Sequence, residues 1–224
     1  MKNLFLFLAI FASVLVTSCS SDDDNTNSNP SKAIVELKES MPNISYTFTW
    51  SAATDADGDT VTYDFYVNDQ KVDSDNASTE FVLLFSEIEG LSYPFTIKVE
   101  AKDGNEGTST SNELTIQDPI ISNWNFFSSA EVVDGVVGTL EEGTPCEKTG
   151  FVDFKADGTY ITRSYIEDRN NECIFDNETN GTWENLGNNV YRFKFDTTTN
   201  EIPVSIEGNT LTITGREDSS VYVK

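Results

Sequence analysis

NGTWENLGNNVYRFKFD, residues 180–196, decides the fold. After the turn at Gly187-Asn188-Asn189 the chain alternates without a break: Tyr191, Phe193 and Phe195 take one face, Val190, Arg192 and Lys194 the other. A period of two belongs to a strand with one buried face, and Gly or Asn in the turn supplies the positive φ that a tight hairpin requires. The neighbouring segments repeat the device. FVDFKADGTYITRSY, residues 151–165, reads as a hairpin turning at Asp157-Gly158, with Phe154 and Tyr160 brought to the same face. EIPVSIEGNTLTIT, residues 201–214, turns at Gly208-Asn209 and puts Ile202, Val204, Ile206, Leu211 and Ile213 on its apolar side. Consecutive hairpins of this kind favour an up-and-down sheet that curls shut and leaves no exposed edge. With a first strand over residues 124–133 and a closing one over residues 221–224, the sequence predicts about eight strands.

Upstream the pattern is also all-β, with no helical period longer than a turn or two. YTFTW places Tyr46, Phe48 and Trp50 on one face, VTYDFYV places Val61, Tyr63, Phe65 and Val67, and YPFTIKVEA places Tyr93, Phe95, Ile97, Val99 and Ala101. Each segment buries one stripe against an opposing sheet, as a β-sandwich of about seven short strands requires. Pro119, in QDPIISNW, marks the cut between the two modules, residues 33–118 and 119–224. Trp50, the run from Tyr93 to Ala101 and the following DGNEGTSTSNELTI resemble a fibronectin type III or related immunoglobulin-like domain over residues 33–118. That resemblance implies a spacing or presenting role, with Tyr93 near the corner leading into the sixth strand.

The loop DADGD puts Asp55, Asp57 and Asp59 at alternate positions, which invites a calcium reading. As an EF-hand it fails, because Thr60 stands where glycine is needed and Tyr66 where a bidentate Glu is needed. A hydrated turn between strands is the better reading.

At the N-terminus, Lys2 precedes an apolar run over residues 4–16, the shape of a secretion signal and short for a bilayer span of about 20 residues. Val16-Thr17-Ser18-Cys19 resembles the lipobox of bacterial lipoproteins, which implies cleavage after residue 18 and acyl chains such as palmitate on Cys19. Cys19 is then the lipid anchor, and the membrane is a partner through that lipid. The serines and aspartates of residues 20–24 resemble the export tag of Bacteroidetes outer-membrane lipoproteins, implying the cell surface; a periplasm-facing anchor is the other reading. Residues 19–32 are expected to be a flexible acidic tether.

Cleavage leaves 38 acids against 13 bases once Lys2 is gone, a formal charge of −25. Such a surface repels nucleic acid, so no nucleic-acid partner is expected. Histidine is absent from the chain. That removes Ser-His-Asp and Cys-His catalysis and histidine-bearing zinc sites; a Ser-Lys dyad or a carboxylate pair is left without any positional motif, so no catalytic residue, metal or cofactor is expected, and the protein reads as non-enzymatic. Beyond the inner membrane the surroundings are oxidising, and Cys19 is committed to lipid, so Cys146 and Cys173 should pair. Running the 157–158 hairpin back from its turn sets Cys146 opposite a residue near Asp168, a few positions short of Cys173.

Trp124, PCEKTGFVDFKADGTY, Cys173, the GTW of residues 181–183, LTIT and the terminal VYVK together resemble the lipocalin-like domain of Bacteroidetes lipoproteins, from about residue 121 onward. The first strand departs from the pattern, reading SNWNF where the family has Gly-x-Trp, and the acidic connection over residues 131–144 is longer. The resemblance implies a barrel whose mouth holds a small, largely apolar ligand. Alternation places Phe154, Tyr160, Trp183, Tyr191, Phe193 and Phe195 inside, so Tyr160, Trp183, Tyr191 and Phe193 are the ligand-binding candidates, with Arg163 for orientation. The alternative is a filled, structural barrel on a surface lipoprotein that meets a glycan or a protein partner through exposed aromatics. DTV at residues 59–61 and DTT at residues 196–198 resemble short O-glycosylation acceptors.

Overall fold

The computed structural model describes residues 26–224; the apolar leader, Cys19 and the aspartates of residues 22–24 lie outside them. Eight strand segments form the first unit: β1 (Val35–Met41), β2 (Ser45–Trp50), β3 (Thr62–Val67), β4 (Gln70–Asn76), β5 (Glu80–Leu84), β6 (Phe95–Lys102), β7 (Thr108–Thr110) and β8 (Leu114–Ile116). One sheet runs β1-β2-β5; the other runs β4-β3-β6, with β7 and β8 lying end to end along the outer edge of β6. This is a sandwich of the immunoglobulin-like kind. Its core is the alternating stripe of each strand: Phe48 on β2 meets Phe65 on β3 at 5.6 Å between ring centroids, and Phe95, Ile97, Val99 and Ala101 on β6 are fully buried.

A carboxylate is buried in the outer sheet. Asp64 on β3 is inaccessible to solvent, with Lys102 Nζ at 2.7 Å, Lys71 Nζ in contact and the Asp75 N–H donating at 3.0 Å. Burial alone would raise this carboxyl, but the two ammonium groups and the amide outweigh it and hold it below the usual aspartate range. A folded-state pKa below the unfolded one means that the stabilisation is present above the unfolded value and is lost as pH falls through the folded one. Acid unfolding should therefore steepen below about pH 4, and Asp64→Asn should flatten that limb; denaturant midpoints measured across it check this, and parallel curves for the two proteins would exclude the role.

Residues 27–31, at the end of the stretch read as a tether, make hydrogen bonds to the sandwich. Asn27 Nδ2 donates to Asp103 Oδ2 (2.7 Å) and to the Asn105 carbonyl (3.0 Å), the Ser28 N–H donates to Asp57 Oδ2 (2.7 Å), and the Ser31 N–H reaches the Thr54 carbonyl (2.8 Å). A polar segment that cannot build a core of its own can still be ordered by the acids of neighbouring turns. In DADGD, Asp55 Oδ1 accepts the Asp57 and Asp59 N–H groups (2.9 and 3.3 Å), which closes the turn.

The second unit is a closed antiparallel barrel. Its wall consists of β9 (Ser122–Val133), β12 (Phe151–Phe154), β13 (Thr159–Glu167), β14 (Cys173–Asn185), β15 (Val190–Phe195), β16 (Thr198–Glu207), β17 (Thr210–Thr214) and β18 (Asp218–Val223), and β18 pairs back onto β9. Two short strands, β10 (Val136–Val137) and β11 (Glu141–Glu142), fold the long connection after β9 back against β9 itself. The hairpin turns fall where the residues permit them: Gly158, Gly187 and Gly208 all have positive φ. Gly181 serves a different purpose. Tyr160 pairs with Gly181 across β13 and β14, and a Cβ at 181 would stand 2.4 Å from the Lys194 carbonyl and 2.6 Å from the Tyr160 ring. Gly181→Ala should cost about 1–3 kcal/mol through forced backbone movement, read as a lowered urea midpoint; an unchanged midpoint would refute the close approach.

Candidate functional site

Trp124 anchors the barrel core. It is fully buried, its Nε1 donates to the Ile120 carbonyl at 2.8 Å, and the Lys224 ammonium lies 4.1 Å from the ring centroid. Burial lowers the Lys224 pKa, since the ring face attracts the ammonium without replacing its full hydration.

Four of the five residues expected to bind ligand are brought together, and each is already engaged. Phe154 centres the cluster, with Tyr160 and Phe193 both at 5.8 Å and Trp183 at 6.1 Å between centroids; Tyr191 stacks on Phe193 at 6.4 Å. Tyr160, Tyr191 and Phe193 are buried. Trp183 Nε1 donates to the Lys155 and Thr159 carbonyls (3.1 and 3.2 Å), tying down the β12–β13 turn. These rings pack against one another in the barrel core. Phe195, expected beside them, lies at the end of β15 and is exposed.

The Tyr191 hydroxyl is committed to the junction between the two units. It donates to Asp118 Oδ1 at 2.8 Å, while Asn185 Nδ2 donates to Asp118 Oδ2 at 2.7 Å and the Ile120 N–H to Asp118 Oδ1 at 3.1 Å. Burial raises both acids of this pair: Asp118 moves above its ordinary value despite three donors, and Tyr191 is pushed up by desolvation and by the neighbouring carboxylate. Asn43, in the β1–β2 turn, adds a bond from its Nδ2 to Asn189 Oδ1 at 2.6 Å. The junction is thus polar and satisfied, and it sets the barrel on the sandwich.

Arg163 stands apart from the aromatic cluster, on the wall of a cleft of about 290 Å³. Phe126 of β9 and Tyr222 of β18 meet edge to face at 5.8 Å on one side; Thr162, Ser164, Tyr165 and Ile166 of β13 form the other. A 3₁₀ turn, Glu147–Thr149, closes one end. The Arg163 guanidinium lies 5.8 Å over Phe151 and donates Nε to Glu178 Oε2 at 2.6 Å, which raises the arginine and lowers the glutamate. Cys146, immediately before the 3₁₀ turn, is disulfide-bonded to Cys173 at the start of β14. The bond fixes that wall of the cleft against the outer end of the β13–β14 arm. Sequence periodicity pointed to the inward aromatics; Phe126 and Tyr222 come together only through the pairing of β18 back onto β9, which shifts register between Val221 and Tyr222.

No protein-family model matches the chain, and no curated protein matches it. Among solved structures, a chain described as the central fibronectin-III array of RIM-binding protein is similar over 90% of this chain and 98% of that one, at 11% identity and a TM-score of 0.28. A likeness that loose carries no inference about this chain.

Proposed function

We propose that this is a non-enzymatic, lipid-anchored protein of the cell envelope whose barrel binds a small, largely apolar ligand in the cleft beside Arg163. The anchor rests on the lipobox-like Val16-Thr17-Ser18-Cys19 and the acidic residues behind it. The ligand reading rests on one observation: Phe126, Tyr222, Phe151 and Tyr165 gather around an open, mostly apolar cleft next to a guanidinium held in place by Glu178. Aromatic walls supply binding through buried area, and a single oriented polar group supplies direction. The packed cluster of Tyr160, Trp183, Tyr191 and Phe193 favours the second reading, a structural barrel displayed for a glycan or protein partner.

Native mass spectrometry of oxidised residues 20–224 incubated with a lipid and metabolite extract tests the first reading. A discrete adduct is expected, and it should be lost in Ile166→Asp, which puts a charge on the exposed rim of the cleft. The absence of any adduct, or one that survives the substitution, would move the function to the displayed surface.

A further inference from the structure

The barrel wall has a notch. β17 ends at Thr214 and β18 begins at Asp218, whereas β16 runs six residues past its last partner on β17, from Val204 back to Thr198, and pairs there with β15 alone. At about 3.3 Å per residue the exposed edge is some 20 Å long. The pairing breaks off at one residue. The Val204 N–H donates to the Asn189 carbonyl, so the even-numbered residues of β16 point their backbone groups at β15 and the odd-numbered ones point at β17. The next rung would need the N–H of residue 203, which is proline, and the ladder stops there.

Beyond it, the N–H and C=O of Thr199 and Glu201 face away from β15 and meet no strand among the described residues. They open onto a cleft of about 860 Å³, bounded by the turn from Thr214 to Asp218 and by Val132 and Gly135 at the end of β9. The charged groups on this cleft are Glu201, Glu217 and Asp218 against Arg216, with Glu131 opposite Asp218 on β9. Arg192 is occupied by Glu184 and Glu201 (both 2.7 Å).

We propose that the notch takes an extended, basic segment of another protein, added to β16 as a strand. Backbone donors and acceptors at alternate residues along a cleft call for a peptide main chain, and the acidic rim calls for cationic side chains on it. A second copy of this chain is disfavoured, because it would bring Glu201, Glu217 and Asp218 of both molecules together on two chains that each carry a formal charge of about −25 after cleavage. Pro203 and Glu201 are residues that keep an edge from pairing with itself.

The test uses the whole oxidised protein and four capped hexapeptides: alternating lysine and valine, alternating glutamate and valine, and the lysine peptide N-methylated on the amides of one edge or of the other. The lysine peptide should slow hydrogen exchange at the Thr199 and Glu201 amides at least tenfold, and the glutamate peptide should leave both unchanged. N-methylation on the edge that pairs should weaken binding at least tenfold, as should Thr199→Pro, whose lost N–H takes no part in the β15 ladder. The proposal is overturned if the two amides keep their rates with the lysine peptide, if methylation of neither edge weakens binding, or if the glutamate peptide binds equally well. A peptide-free dimer that protects the same amides would instead assign the edge to a second copy and overturn it as well. The methylated peptides need no variant, so the result stands even if Thr199→Pro fails to fold.

Discussion

Trp124→Ala should destabilise the barrel by about 3–5 kcal/mol, the range for deleting a buried Trp or Phe. Three losses coincide at this position: the fully buried ring, the Nε1 bond to the Ile120 carbonyl and the surface on which Lys224 rests. Trp124→Phe should cost less, because it keeps most of the apolar area while orphaning the Ile120 carbonyl, a penalty of about 1–3 kcal/mol. Chemical denaturation of both variants, followed by the near-ultraviolet signal of the remaining aromatics, separates packing from hydrogen bonding. An alanine variant within 1 kcal/mol of the parent would mean that the Phe154 cluster, and not Trp124, carries the core.

Loss of the Cys146–Cys173 bond should be the second large effect. With a sequence separation of 27 between the two cysteines, the chain-entropy relation gives about 3.5 kcal/mol. The damage should begin locally. The arm formed by β13 and β14 extends past the reach of β15, which pairs only residues 182–185 of β14, and past β12, which pairs residues 160–163 of β13. Ile166, Ile174 and Phe175 are exposed on that arm. In the double variant Cys146→Ser/Cys173→Ser, the amides of residues 164–178 should lose hydrogen-exchange protection before those of the barrel wall, and any ligand of the Arg163 cleft should bind more weakly as the 3₁₀ turn loosens. Uniform loss across the barrel would show that the arm and the wall unfold together.

The hairpins were legible because a strand with one wet face writes itself as alternation, and because the turns at Gly158, Gly187 and Gly208 use residues that tolerate positive φ. Phe154 opposite Tyr160 followed from that reading and is found in the register. The disulfide followed from the cysteine count, and the hairpin register brought its two ends within a few residues of each other. Three features were not legible. Whether Tyr191, Trp183 and Phe193 enclose a space or fill it depends on ring rotamers and on Phe154, which alternation does not fix. The notch depends on which parity of β16 bonds to β15, so Pro203 looked like any proline in a strand. Asp118 carried no local signal, because its partners Asn185 and Tyr191 lie 67 and 73 residues away.

The two ends of β6 give the sandwich a polarity. Asn27 is held to the β6–β7 loop at Asp103 and Asn105, while Ile116, two residues before the junction acid Asp118, pairs with Phe95 at the opposite end of β6. Eight residues of strand separate these poles, about 26 Å at 3.3 Å per residue. The sandwich is therefore a rigid spacer: it parts residue 26 from the start of the barrel by a length set in folded protein, which no change in the residues before it would shorten.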